Sequence, residues 1–399
     1  MGSIASIVFA ARGVRAIADG FISLTLPLYL LALGYSPLQV GLLSTATLLG
    51  SATLSLTAGI YATRIGYRHA LLAAALLMVM TGIAFTGVRD FWPLLVVAFV
   101  GTLNPSSGDV SVFLPLEHAV LSGVVSARQR TGAFARYSLV GAAGGALGAL
   151  LAGAPHLVAD TLHVSSRVAL QSMFLLYALF GLAAGVLYRC LPVRVDDARI
   201  DSRQAPLRES RRIVLTLAAL FSVDAFAGGL IVQSMLSLWL VQRFALAPTE
   251  LGVLFFATSL LAGASYLIAA PLAHRFGLIN TMVFTHIPSS VALMVIPFVA
   301  DLNVAVALLL VRSALSQMDV PTRSSYVMAV VTPAERPAAA STTAIPRSLA
   351  AAGSPLLTGY LLSLSPFGWP LVIAGAIKIA YDLTLLMLFR HVRPPEEVR

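Results

Sequence analysis

Asp224 is an acid in an apolar setting, with Phe221-Ser222-Val223 before it and Ala225-Phe226-Ala227-Gly228-Gly229 after it. No basic residue lies within helical reach on its own segment, so its partner must come from another helix, from water or from a ligand. An acid left without a cation in such a place can carry a proton. Asp19 follows Arg15 by four residues and Arg12 by seven, which puts all three on one helical face. Asp319 and Arg323 repeat the four-residue spacing, with Arg312 and Gln317 just ahead of them. Asp109 and Glu117 are eight apart, again roughly one face, among Asn104, Ser106 and Ser107. Lys378 and Asp382, also four apart, read as a self-satisfied pair, and Arg347 stands alone after Pro346. Two chemistries fit these groups: internal ion pairing, or the handling of a proton or a charged solute. Both stay open for Arg15 with Asp19.

Other chemistries find no residues. A phosphate-cradling GKS/T loop is missing, so ATP does not drive this protein. His69, His118, His156, His163, His274, His286 and His391 are scattered without ligand spacing, and no nucleophile–base set is evident. With Cys190 as the single cysteine there is no disulfide framework. The expectation is a protein that is not an enzyme and needs no cofactor and no metal.

The elements that hold these charges are long apolar helices. Of 399 residues 58% are hydrophobic and 11% charged, too few charges to cover a soluble surface. A helix crossing the hydrocarbon needs roughly 20 mainly apolar residues. About twelve such segments fit: 5–33, 38–62, 69–88, 92–121, 133–154, 168–190, 213–241, 249–273, 278–300, 302–328, 338–363 and 368–390. The first, Ile4 to Leu33, reads as a retained span and not as a cleaved signal. An ionised side chain at the bilayer centre costs roughly 3 kcal/mol, so the charges above must face a cavity or a partner. The net charge of +9 fits basic loops that orient a membrane protein better than it fits nucleic acid. With the N-terminus in the cytoplasm, seventeen Lys and Arg fall on the cytoplasmic side and three, Arg89, Arg167 and Arg243, on the other. That asymmetry predicts an even number of spans with both termini cytoplasmic.

The chain repeats itself. Pro37 and Gly41 fall on Pro248 and Gly252, and Arg64 and Gly66 on Arg275 and Gly277, all 211 residues apart. Asp109 meets Asp319 at 210, while Arg130 meets Arg336 and Gly153 meets Gly359 at 206. The expected organisation is an N-terminal six-helix bundle over 1–191, a cytoplasmic linker over 192–212 and a C-terminal six-helix bundle over 213–399. Parallel six-span repeats of this kind place a substrate site near the membrane midplane, between the halves.

The segment Gly59-Ile60-Tyr61-Ala62-Thr63-Arg64-Ile65-Gly66-Tyr67-Arg68 resembles the signature loop between spans two and three of the major facilitator superfamily, roughly G-x-L-x-D-R-x-G-R-R. Gly59, Arg64, Gly66 and Arg68 match, whereas Thr63 and Tyr67 replace an acid and a base. Ala273-His274-Arg275-Phe276-Gly277 repeats the core in the second half. The resemblance implies that this loop bridges helix ends and gates the conformational cycle, with Gly59, Arg64, Gly66, Arg68, Arg275 and Gly277 as its residues; simple cytoplasmic anchoring is the plainer reading of the arginines. It also implies that spans one, four, seven and ten line a central cavity, where Asp19, Asp109, Asp224 and Asp319 fall one to each span. Gly132, Gly141 and Gly145 fit the first spacings of the fifth-span pattern of drug antiporters, but Ala146, Ala149 and Leu150 break its end. Close helix packing explains these glycines equally.

The resulting expectation is an all-α, major-facilitator-like fold of about twelve spans in two pseudo-symmetric bundles, alternating between inward- and outward-open. Its substrate- or proton-binding residues would be Arg15, Asp19, Asp109, Asp224, Arg312, Asp319 and Arg347. The protein would be a monomer in the plasma (bacterial inner) membrane, with membrane lipid, a small-molecule substrate and protons as partners. Proton-coupled efflux of a small organic molecule is the first reading. Uptake or facilitated diffusion of a metabolite such as an organic anion, held by Arg15, Arg312 or Arg347, is the second. A non-transporting membrane sensor on the same fold is the rival from another class.

Overall fold

A computed structural model of the chain describes residues 3–106, 111–125, 127–192, 207–332 and 335–390. Asp109 and most of the expected linker lie outside the described residues. The described residues form sixteen α-helices and a short 3-10 turn, Ile296–Phe298. The first eight helices are α1 (Ser3–Ala32), α2 (Pro37–Ile65), α3 (Tyr67–Gly87), α4 (Phe91–Val100), α5 (Phe113–Val124), α6 (Ala127–Leu151), α7 (Ala154–Leu162) and α8 (Ser166–Arg189). Then come α9 (Arg211–Leu230), α10 (Gln233–Phe244), α11 (Pro248–Phe276), α12 (Leu278–Val295), α13 (Leu302–Ser316), α14 (Asp319–Val330), α15 (Arg336–Leu364) and α16 (Trp369–Phe389). The chain divides into two compact units, Met1–Ile200 with Val232–Phe256, and Asp201–Ile231 with Ala257–Arg399. The segment 232–256 belongs to unit 1 because α10 packs on α1 and α2.

The fold is the expected all-α membrane architecture of twelve spans. Ten segments among the described residues are long and apolar enough to cross a membrane; the shorter apolar helices α4 and α5 together make the fourth span, and the 29-residue α15 is the eleventh. The helices wear their apolar residues on the outside as well. On α8 the exposed side chains Leu175, Leu179, Leu182 and Val186 recur at helical spacing, while Met173, Phe174, Tyr177, Ala184 and Tyr188 are buried. Such a two-sided apolar helix satisfies its own backbone and suits lipid.

The repeat seen in the sequence is a repeat in packing. In unit 1 the heaviest contacts join α1 to α6 and α3 to α8; in unit 2 they join α9 to α15 and α12 to α16. These are the same pairs, first with fifth span and third with sixth, in each half. The close approaches match too. A Cβ on Gly20 of α1 would collide with the carbonyl oxygen of Gly145, and one on Gly229 of α9 with that of Ala351. A Cβ on Gly148 would strike the carbonyl oxygen of Ile17, and one on Gly141 the guanidinium of Arg12. Gly141, Gly144 and Gly148 therefore serve the approach of α6 to α1, the small-residue packing of membrane helices. Gly66 and Gly277 repeat a backbone state, with φ of 90° and 87°. Each donates its N–H to the carbonyl four residues back, Ala62 or Ala273, at 2.9 Å. That positive φ ends one helix and starts the next within a single residue, which a Cβ would strain.

Three spans expected to be continuous are broken. The fourth is interrupted between Val100 and Phe113, the seventh at Ile231 and Val232, and the tenth at Gln317 and Met318. Backbone groups freed at membrane depth need partners, and the fourth and seventh spans have them. Tyr177 donates its hydroxyl to the Thr102 carbonyl at 2.8 Å, Ser234 its N–H to the Pro105 carbonyl at 3.0 Å, and Thr358 its hydroxyl to the Leu230 carbonyl at 2.7 Å. Breaks four and ten lie at equivalent points of the two halves, a placement that marks ligand-binding regions in repeat-built transporters.

Outside the spans, Glu335 fixes the turn that leads into α9. Its carboxylate accepts the N–H groups of Arg208 at 2.5 Å, Glu209 at 3.0 Å and Ser210 at 3.0 Å. The Arg208 N–H, the Ser210 hydroxyl and the neighbouring N–H groups hold this carboxyl at about 2, below its ordinary 4.5. A lowered value means that its contribution to stability is complete above about pH 4.5 and is lost as the pH falls through about 2. Glu335→Gln is therefore expected to lower the thermal midpoint of the detergent-solubilised protein at neutral pH, with the gap to wild type closing on acidification. A gap that does not change with pH would mean that the carboxylate charge is irrelevant there.

Candidate functional site

Unit 1 holds a closed knot of charge. The Arg15 guanidinium on α1 pairs with the Glu117 carboxylate on α5 through Nη2 and Oε2. Arg15 Nε donates to the Tyr188 hydroxyl at 3.0 Å, and Tyr188 donates in turn to Glu117 Oε1 at 2.6 Å. Tyr137 on α6 donates to Glu117 Oε2 at 2.5 Å. The Phe113 ring lies 4.1 Å from the guanidinium carbon of Arg15. Arg15, Glu117, Tyr137 and Tyr188 are all at most 1% exposed. Each donor has an acceptor, so the knot ties spans one, four, five and six together and offers no open valence to a solute.

This differs from the pairing read from spacing. Arg15 has Glu117 as its bonded partner, and the four-residue neighbour Asp19 is a further charge near it. The reason is orientation: α5 brings both oxygens of a carboxylate between the arginine and two tyrosine hydroxyls. Asp19 is buried and engaged elsewhere as well. Glu117 is fully buried. Tyr137 and Tyr188 were missed, although a tyrosine hydroxyl inside an apolar span always raises the question of its partner.

Unit 2 holds an open chain of charge. Asp224 on α9 takes Lys378 of α16 on one oxygen at 2.6 Å and Arg323 of α14 on the other at 3.0 Å. Arg323 also reaches Asp319 at 3.2 Å, the pair that their spacing predicts. On the far side of Lys378, His286 Nε2 of α12 lies 3.4 Å from the ammonium and 3.9 Å from Asp224. His286 Nδ1 is 3.0 Å from both oxygens of Asp382. The sequence Asp319–Arg323–Asp224–Lys378–His286–Asp382 thus runs across four helices, and all but Lys378 are less than 9% exposed in their side chains.

The partner that Asp224 was expected to take from another helix, water or a ligand comes from two helices, α14 and α16. One expectation is corrected. Lys378 and Asp382 are not a self-contained pair: α9 brings a carboxylate to the lysine, α12 brings an imidazole to the aspartate, and both are better placed than the neighbour one turn away. Arg323 is buried. His286 was passed over as one of several scattered histidines; its place inside an apolar span was the available signal.

Two cations have no such partner. Arg347 lies on the face of α15 that carries Thr343 and Ser354, and its Nε is buried without a hydrogen bond. Asp224, Asp319 and Arg323 are its charged neighbours, and those acids are already paired. Arg312, on α13, makes no ion pair among the described residues. Its backbone carbonyl accepts the Ser289 hydroxyl of α12 at 3.2 Å.

At the helix ends, Arg68 donates from Nη2 to the Arg189 carbonyl at 3.0 Å and so joins the start of α3 to the end of α8. Arg64 and Arg275 are exposed, Arg275 beside the Phe276 ring at 5.3 Å, and Gly59 lies within α2.

The chain matches the family described as Major Facilitator Superfamily over residues 8–242 and 217–399. It is 25% identical over 423 residues to an uncharacterized membrane protein of Saccharomyces cerevisiae, covering 97% of this chain and 94% of that protein. Among solved structures it is similar to the nucleoside transporter NupG, with a TM-score of 0.74 at 11% identity, covering 98% of this chain and 100% of that one. It is also similar to the xylose transporter XylE from E. coli, at a TM-score of 0.71, 13% identity and 99% coverage of each chain. A third likeness is to the human organic anion transporter MFSD10, at a TM-score of 0.67 and 16% identity, covering 96% of this chain and 98% of that one. At these identities the solved structures speak for the fold.

Proposed function

The chain belongs to the major facilitator superfamily, and from that premise we propose that it is a secondary active transporter that moves a small organic anion across the plasma membrane, by alternating access of its two six-span halves, together with a proton. The observation that carries the substrate's charge is Arg347: a buried donor with no hydrogen bond, beside acids that other cations already hold. A carboxylate, sulfonate or phosphate of the solute would complete it, since charge-assisted bonds to arginine are among the strong ones. Arg312, which makes no ion pair among the described residues, is a second candidate, and Arg15, which Glu117 holds, is not. That one of the similar folds is named an organic anion transporter is in keeping with this.

The direction follows from sign. A proton bound to the network of unit 2 adds positive charge and so favours an anion, and by linkage the anion favours the proton. Partners that favour each other travel together, which gives uptake down an inward proton gradient. Efflux in exchange for protons needs a solute that competes with the proton, a cation above all. Of the glycines that suggested an antiporter, Gly141 and Gly145 lie against α1 and serve helix packing.

Transport by the reconstituted protein tests this reading. Labelled mono- and dicarboxylates, sulfonates, organic phosphates, neutral sugars, nucleosides and organic cations are offered to proteoliposomes, and Arg347→Gln is compared with Arg347→Lys. A charge-assisted bond is worth about 1.5–3 kcal/mol, so Arg347→Gln is expected to lower anion flux about 10- to 100-fold, with Arg347→Lys between. Anion flux that Arg347→Gln leaves unchanged, or flux confined to neutral or cationic solutes, would overturn the assignment.

A further inference from the structure

We propose that His286, set by Asp382, is the proton-binding site of the second half, and that its protonation moves Asp224 from Lys378 to the imidazole. This rests on the proton-linked reading above and deepens it by naming the group. The geometry carries it. With Nδ1 at 3.0 Å from both oxygens of Asp382, the Nδ1–H donates to that carboxylate and leaves the lone pair at Nε2. That lone pair faces the Lys378 ammonium at 3.4 Å, and the same ammonium donates to Asp224 at 2.6 Å. A proton that adds to Nε2 removes the acceptor. The lysine then meets an imidazolium N–H in place of a lone pair, and Asp224, 3.9 Å from Nε2, becomes the nearest free acceptor for it. Lys378 loses its hold on both neighbours. Its side chain, 12% exposed against 4% for His286, is the member of the group with a way out.

The exchange has a mechanical meaning. Lys378 and Asp382 stand on α16, His286 on α12 and Asp224 on α9. Without the extra proton, Asp224 ties α9 to α16; with it, Asp224 ties α9 to α12. The break of the seventh span at Ile231 and Val232 lies about two turns beyond Asp224, so the exchange acts on the piece of α9 next to a hinge.

The groups around His286 are consistent with one proton at a time. From α16 come Lys378, Asp382 and the Tyr381 ring, edge-on at 6.3 Å. From α9 comes Asp224, and through it Arg323 and Asp319 of α14. On α13, packed along α12, the charged group is Arg312; on α15 it is Arg347, whose field reaches the same acids. An anion on Arg347 would offset the charge that the proton adds, which is the sense of coupling required for joint movement.

Nitrogen-15 NMR of histidine-labelled full-length protein in lipid nanodiscs reads the site without any solute. One imidazole, missing from the spectrum of His286→Gln, is expected to change its protonation state as the pH is varied from about 5 to about 8, and that change is expected to be altered in Asp382→Asn and in Lys378→Met. An imidazole fixed in one state across that range, or one indifferent to both neighbours, overturns the assignment. In proteoliposomes the readout is the ratio of anion flux with and without an inward proton gradient. The wild-type ratio is expected to exceed one, and that of His286→Gln to fall to about one. A wild-type ratio of one overturns proton linkage and this site with it; a raised ratio that survives in His286→Gln overturns the site alone.

Discussion

Glu117→Ala is expected to cost the folded protein about 3–5 kcal/mol, the usual penalty for removing one partner of a buried ion pair. The cost comes from what is left behind. Arg15, at 1% exposure, keeps its charge and loses its counter-ion, and the hydroxyls of Tyr137 and Tyr188 lose their acceptor. Those groups belong to spans one, five and six, so the loss falls on the packing of the whole unit. Thermal unfolding of the detergent-solubilised variant, followed by size-exclusion fluorescence, measures it. Replacing both members, Arg15→Met with Glu117→Leu, is expected to recover most of the stability, because two apolar side chains leave no charge stranded. A Glu117→Ala protein as stable as wild type would show that the knot is not what holds these four spans together.

Asp224→Asn is expected to act the other way round: a modest loss of stability and a fall in transport of two orders of magnitude or more. Asp224 is shared between two cations, and only one of them has another carboxylate. Arg323 retains Asp319 at 3.2 Å, but Lys378 retains only the imidazole. Folding is thereby partly insured, while the exchange of partners on which movement depends is gone. About 3 kcal/mol lost at the rate-limiting rearrangement corresponds to a factor of about 100. Asp224→Asn with Lys378→Met should restore the melting temperature and leave transport as low as in the single variant. Recovery of transport in that double variant would mean that the pair is only structural. The contrast between Glu117 and Asp224 is the contrast between a closed network and an open one: where every lone pair is spoken for the protein is rigid, and where two donors compete for one oxygen it has two arrangements to choose from.

Much of this architecture was legible in the sequence, since its causes are local or repeated. Twelve apolar segments, the bias of arginine to one side and the offset of 206 to 211 residues between halves are properties of the chain itself. So are the positive-φ glycines at 66 and 277, which a G-bearing loop between two helices announces. The pairing of Asp319 with Arg323 was legible because four residues are one helical turn. The same rule failed for Lys378 with Asp382 and gave Arg15 only part of its surroundings, and the reason is physical: a side chain on a packed helix chooses among neighbours from other helices, whose distance in sequence carries no signal. Glu117 lies 102 residues from Arg15, and Asp224 lies 154 from Lys378. The breaks at spans four, seven and ten were hidden as well, for a few polar residues inside an otherwise apolar segment do not by themselves end a helix. Gly228 and Gly229 before one break, and Asn104-Pro105 within another, were the traces available.

The account stands most directly on whether charge and proton move as one. The measurement is the initial rate and final level of uptake of a labelled organic anion by proteoliposomes holding the wild-type protein, with an inward proton gradient imposed and with none. Faster uptake under the gradient, with accumulation above the outside concentration and acidification of the lumen in step with it, is what the paired cations of unit 2 predict. A gradient that leaves anion uptake unchanged, or that drives a cation outward instead, would contradict it.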